Sequence, residues 1–155
     1  MISREEDRML IGLAKIETGL SRIYEKLSAK PQFRQQVKTF WAELAREEMA
    51  HAQVFNQLRA KMVSDASLQV HISSDMDSLK EFVSKAKSLV KKVETNISEA
   101  EAYTLCAQIE GEMDEAGFID LVKVQDDGLS RKLARVKADT RKHRMVLINY
   151  ARGVK

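Results

Sequence analysis

One stripe of side chains in the middle of the first half of the chain constrains the fold most. Trp41, Leu44, Glu48, His51, Phe55, Leu58 and Met62 recur at alternating steps of three and four residues. Such spacing places all of them on one face of a helix. Five are apolar, so the face looks inward, yet it carries an acid and an imidazole where an ionised group is costly unless paired or bound to metal.

Similar stripes run along most of the chain. A first helix opens at the capping box Ser3-Arg4-Glu5-Glu6 and carries Leu13, Ile16, Leu20, Ile23, Tyr24 and Leu27. Pro31 separates it from the second, expected over about 33–63. A polar stretch from Ser64 to Ser74 precedes a shorter amphipathic helix with Leu79, Phe82, Val83, Ala86, Leu89, Val90 and Val93, broken at Thr95-Asn96. A second capping box, Ser98-Glu99-Ala100-Glu101, opens a segment with the seam Tyr103, Cys106, Glu110, Met113, Gly117, Leu121 and Val124. Asp126-Asp127-Gly128 reads as a tight turn before a last helix with Leu129, Leu133, Val136, Thr140, His143, Leu147 and Tyr150. No segment alternates with period two, and one Pro and six Gly are too few for a β-sandwich. The expectation is a single all-α domain over 1–155: two antiparallel hairpins joined by a long crossover that contains a short fifth helix.

Bulk properties exclude several classes. The one cysteine, Cys106, cannot form an intrachain disulfide or a four-cysteine iron module within this chain. No run approaches the ~20 apolar residues of a membrane span, and MISREEDR lacks an apolar signal core, so a reducing cytoplasmic setting is expected. Arg131–Lys155 holds nine bases and one acid, while Glu99–Asp127 holds nine acids and one base. Attraction between those segments accounts for the basic run better than a nucleic-acid footprint does.

Polar residues interrupt all four long seams, and they fall in register. Glu17 and Glu48 are equidistant from the Gln32–Phe33 bond, and Glu110 and Thr140 from Gln125. In an antiparallel hairpin, such pairs lie at one height. The halves also repeat: Ala14-Lys15-Ile16-Glu17 parallels Ala107-Gln108-Ile109-Glu110, and the Glu-to-His separation is 34 residues from Glu17 to His51 and 33 from Glu110 to His143. Glu48 and His51, three apart, share a helix face, where carboxylate and imidazole suit iron, manganese or zinc. Taken singly, each residue could be a boundary carboxylate or a hydrogen-bonded core histidine; their common register points to a duplicated half-site. His71 lies in the polar link and is expected at the surface, Trp41 and Cys106 in the core.

These residues carry a family resemblance. IETGLSRIYEKLS around Glu17 and Tyr24, LAREEMAHAQVF around Glu48 and His51, IEGEMDEAGF around Glu110 and ADTRKHRMVL around His143 resemble the rubrerythrins, and with them the ferritin-like di-iron carboxylate superfamily. The resemblance implies a ferritin-like four-helix bundle with Glu17 and Glu110 as terminal carboxylate ligands, Glu48 bridging, and His51 and His143 as nitrogen ligands. It implies two irons that react with peroxide or dioxygen, an external electron donor, and a homodimer. The sequence departs from the family where Thr140 replaces a second bridging Glu and Met113 a further Glu. Asp139 and Asp114 are substitute carboxylates, and Tyr24 and Thr140 are neighbours that would contact ligands. With the second half-site altered, the centre could hold a single iron, manganese or zinc ion. The alternative is a metal-depleted or mononuclear structural or interaction bundle without enzymatic activity, in which a buried, unpaired Glu48 would be destabilising.

Overall fold

The computed structural model describes residues 2–153; Lys155, the last base of the C-terminal basic run, lies outside them. Five α-helices dominate: α1 (Arg4–Ser28), α2 (Gln35–Ser64), α3 (Met76–Val93), α4 (Glu99–Ala116) and α5 (Asp127–Ala151). α1 packs chiefly on α2 and α4 chiefly on α5, giving two antiparallel hairpins, while α3 lies in the crossover against α1 and α4. No helix among the described residues is long and apolar enough to cross a membrane.

Local chemistry sets the boundaries. Both expected capping boxes form: the Ser3 hydroxyl accepts from Glu6 N–H at 3.1 Å, and the Ser98 hydroxyl from Glu101 N–H at 3.1 Å, with each glutamate accepting in return. α2 starts later than its periodicity suggests. Phe33 is buried in the turn, and the Arg34 amide donates to Glu99 at 2.8 Å while its guanidinium pairs with the same carboxylate. That contact ties the first hairpin's turn to the start of α4. α3 sits close on α1 because Gly12 leaves room for Leu79; a Cβ there would stand 2.3 Å from Leu79 Cδ2.

The segment before α5 differs from the sequence expectation. α4 stops at Ala116 because Gly117 adopts a left-handed conformation, φ 65°, instead of continuing the seam to Val124. A 3₁₀ turn, Phe118–Leu121, buries Phe118 against Phe82. Two three-residue strands then pair antiparallel, β1 (Val70–Ile72) with β2 (Val122–Val124), His71 standing exposed opposite Lys123. Strands this short cannot display a period-two pattern, which is why the polar link hid one of them. Asp126 is not part of a turn but the cap of α5, its side chain accepting from Leu129 N–H at 2.8 Å; Asp127 and Gly128 are helical.

The opposite charges of the second hairpin meet as expected. Lys137 pairs with Asp120 at 2.6 Å, Arg141 with Asp114 at 3.1 Å and Arg144 with Glu115 at 3.5 Å. Each exposed pair contributes about 0–1 kcal/mol, so they steer the hairpin more than they hold it. Apolar packing supplies the holding force, through a continuous core from Met9 to Leu147.

Candidate metal centre

The hairpin register delivers the interrupting residues to one level inside the bundle. Glu17 from α1, Glu48 and His51 from α2, Glu110 from α4, and Thr140 and His143 from α5 are all buried. Glu48 stands between the two histidines. Its Oε2 lies 3.1 Å from His51 Nδ1, and its Oε1 lies 2.7 Å from His143 Nδ1. Glu17 Oε2 is 3.7 Å from His51 Nδ1, and Glu110 Oε1 is 3.6 Å from His143 Nδ1. The imidazole rings face one another, centroids 5.8 Å apart. Two groups with ligand atoms within 4.8 Å of one another result, Glu17–Glu48–His51 and Glu48–Glu110–His143, sharing Glu48.

Both histidines are held from behind. His51 Nε2 faces Asp139 Oδ2 at 3.2 Å, across from α5; His143 Nε2 faces Glu47 Oε2 at 2.6 Å, across from α2. Donation of Nε2–H to an outer carboxylate fixes the tautomer and leaves Nδ1 for the interior. Thus each of the two helices braces the other's histidine.

The electrostatics are those of a site short of positive charge. Burial, then the neighbouring Glu48, push the Glu17 carboxyl well above the usual carboxylate range. Burial opposes charge on His51, but Glu17 and Glu48 overcome it and raise the ring to about 10; Glu110 and Glu48 raise His143 to about 11 against the same opposition. Without a cation, protons on the imidazoles supply the counter-charge, so Glu48 is paired rather than isolated. The compensation is incomplete. Glu17 Oε2, Glu48 Oε1, Glu110 Oε2 and His143 Nδ1 are buried without a hydrogen-bond partner; the 2.7 Å approach of His143 Nδ1 to Glu48 Oε1 is an ion-pair distance out of line for a hydrogen bond. Buried polar groups are nearly always satisfied, so a cluster of four exceptions needs an explanation. Cations held by Glu17–Glu48–His51 and by Glu48–Glu110–His143 would give these atoms partners, and carboxylate oxygens with imidazole nitrogens fit iron, manganese or zinc.

The remaining predicted residues divide. The Tyr24 hydroxyl donates to Glu110 Oε1 at 2.5 Å; burial, then Glu110, hold its pKa well above the ordinary phenol value. The Thr140 hydroxyl donates to the Val136 carbonyl at 3.0 Å and is spent on the backbone. Asp139 lies behind His51, and Asp114 is engaged by Arg141 near the surface, so neither joins the two groups. Cys106 is buried, its thiol pushed up by burial and by Glu110. Glu47 was not singled out from the sequence, although a signal existed: an acid stands four residues before each histidine, Glu47 before His51 and Asp139 before His143.

Two helical hairpins with inward acids and imidazoles at a common level define a four-helix bundle of the ferritin-like class. The acids at positions 17, 48 and 110 and the histidine at 51 fall within the part of the chain that a known family model covers. That model, Rubrerythrin, matches residues 14–124, and the chain belongs to the rubrerythrin family. The match ends before α5, so Thr140 and His143 lie beyond it. Comparison with curated proteins and with solved structures gave no significant match.

Proposed function

We propose that this protein holds iron at the buried carboxylate–imidazole centre, two ions sharing Glu48, and uses it in the cytoplasm to reduce peroxide or dioxygen with electrons from an external donor. The observation that carries this reading is the paired arrangement of the histidines, each with Nδ1 turned to Glu48 and Nε2 turned to an outer carboxylate. In it, Glu17 and Glu110 are terminal ligands. Tyr24 occupies Glu110 Oε1 and leaves Oε2 for the cation. Iron bound there would supply one-electron redox steps, and the chain's own residues fix the donor atoms. A cleft of about 370 Å³ between α2 and α5, lined in part by Glu47, His51, Val136 and Asp139, opens onto this level and admits a small oxidant.

The test is anaerobic loading with ferrous iron, removal of excess, and elemental analysis beside peroxide consumption. Retention of about two irons per chain with peroxide turnover supports the reading. Retention of one iron, manganese or zinc would restrict it to a mononuclear site. No retention, or equal retention by a Glu48→Ala/His51→Ala variant, overturns it. The second reading, a metal-free bundle, draws on Thr140, whose hydroxyl is turned away, and on imidazolium charge as a substitute for a cation.

A further inference from the structure

The protein has three tyrosines and one tryptophan, and all four are joined by successive ring contacts. The series begins at Tyr24, hydrogen-bonded to Glu110. The Tyr24 ring centroid is 5.4 Å from that of Trp41; Trp41 stacks on Tyr103 at 5.3 Å, and Tyr103 on Tyr150 at 5.0 Å. Each helix of the bundle contributes one ring, α1, α2, α4 and α5 in order. The first three are buried, while Tyr150 is 39% exposed. The outer end opens into a cleft of about 210 Å³ lined by Arg34, Gln36, Val37, Phe40, Tyr103 and Tyr150.

Packing alone does not call for these residue types. Trp41 Nε1 is buried without a hydrogen-bond partner, a penalty that a phenylalanine would avoid. Phe40 touches Trp41, Tyr103 and Tyr150 and shows that the site accepts a ring without a polar atom. What the four residues share, and phenylalanine lacks, is ready one-electron oxidation.

We propose that Tyr24, Trp41, Tyr103 and Tyr150 form a one-electron relay from the surface cleft to the carboxylate centre. It rests on the reading of that centre as a redox metal site. Tyr24 gives one electron to the peroxide-oxidised centre, and its hydroxyl proton crosses to Glu110 Oε1. Trp41 then gives one electron to Tyr24, and the proton returns from Glu110. Trp41, with no base at Nε1, keeps its proton as a radical cation and takes an electron from Tyr103, which releases a proton to water in the cleft. Tyr150 gives an electron to Tyr103, which regains a proton from water as Tyr150 releases one. An external one-electron reductant of the ascorbate type restores Tyr150, which takes its proton back from water. The sum is one electron from the reductant to the centre, with every ring returned to its starting state.

Two measurements test this. In the first, iron-loaded protein is mixed with peroxide, freeze-quenched and examined by electron paramagnetic resonance, then reduced with ascorbate. An aromatic radical is expected in the wild type, and its reduction by ascorbate should slow about tenfold or more in Trp41→Phe, Tyr103→Phe and Tyr150→Phe. Equal rates in all four proteins overturn the relay. The second needs no metal. A ruthenium photo-oxidant is attached at the exposed Gln36→Cys, and transient absorption follows oxidation of Trp41 after a flash. Its formation should slow about tenfold or more when Tyr103 is replaced by Phe; an unchanged rate overturns the relay. Failure of iron retention, by contrast, removes the function proposed above and leaves the flash measurement to decide the relay. Tyr150→Phe, at the surface, provides a variant that cannot fail merely by unfolding the core.

Discussion

Glu48→Gln in the metal-free protein tests the electrostatic account of the centre most directly. The substitution keeps the shape of the side chain and removes its charge, so packing is not the source of any effect. Glu48 is fully buried, and its two oxygens lie 3.1 Å from His51 Nδ1 and 2.7 Å from His143 Nδ1. With the rings raised to about 10 and about 11, both carry protons at neutral pH. The variant leaves two facing cations with only Glu17 and Glu110 to balance them. Removing one partner from a buried ion pair costs about 3–5 kcal/mol. At about 2–4 °C per kcal/mol for a chain of this size, the melting temperature should fall by roughly 6–20 °C.

The assay is thermal unfolding followed by circular dichroism in the presence of a chelator, repeated across pH. A histidine whose pKa is raised on folding contributes stability that is complete below its unfolded value of ~6.5. That contribution is lost as pH rises through the folded values, about 10 and about 11. The gap between wild type and variant should therefore be widest near pH 6.5 and shrink into the alkaline range. An equal or higher melting temperature for the variant near neutral pH would mean that the histidines are neutral and Glu48 unpaired. It would refute the reasoning.

Three further outcomes follow from named contacts. Glu47→Gln and Asp139→Asn should each weaken metal binding about 10–100-fold, measured by chelator competition, and the losses should add because the two acids brace different histidines; binding unchanged in both would remove them from the centre. Metal binding at neutral pH should release protons, since His51 and His143 must lose the Nδ1 proton to ligate, so affinity rises with pH below about 10; pH-stat titration showing no release would contradict this. Gly12→Ala should destabilise the fold by about 1–3 kcal/mol in denaturant titration, as its Cβ would meet Leu79 Cδ2 at 2.3 Å; an unchanged midpoint would show that α3 yields.

The sequence carried the fold wherever a long periodic face existed. α1, α3 and α5 were legible from seams and caps because burial of a stripe and satisfaction of terminal amides are local demands. The end of α4 was not. Leu121 and Val124 continue the arithmetic of the seam, but Gly117 in a left-handed conformation stops the helix, and Val122 turns to a strand partner fifty residues away at Ile72. Such pairing is non-local, and three residues are too few to announce it. The meeting of Glu17, Glu48, His51, Glu110 and His143 was legible because equidistance from a turn fixes height. Four residues before His143, Asp139 lies about 40° round the helix from it, which from α5 alone points to a place beside the centre. Across the bundle, however, that offset aims it at the back of His51, a relation between α2 and α5 that neither helix reveals alone.

This placement bears on how the centre would tolerate the loss of a carboxylate at Thr140. Two divalent ions would bring four positive charges to Glu17, Glu48 and Glu110, which supply three negative ones, with both imidazoles neutral. The inner shell would remain positive by one. Glu47 and Asp139 stand one ring away, only 46% and 28% exposed, close enough to draw on the Nε2–H groups and to offset that excess. Charge can thus be restored by Asp139 from the position just before Thr140, but ligation cannot. Each ion would keep two carboxylate groups and one imidazole from the protein, Glu48 being counted for both. Three protein ligands leave open positions for water or an oxidant, the arrangement of reactive rather than structural metal sites. On the two-iron reading proposed above, Thr140 would leave the centre open rather than abolish it, and Thr140→Glu should tighten iron binding while slowing its exchange with chelator.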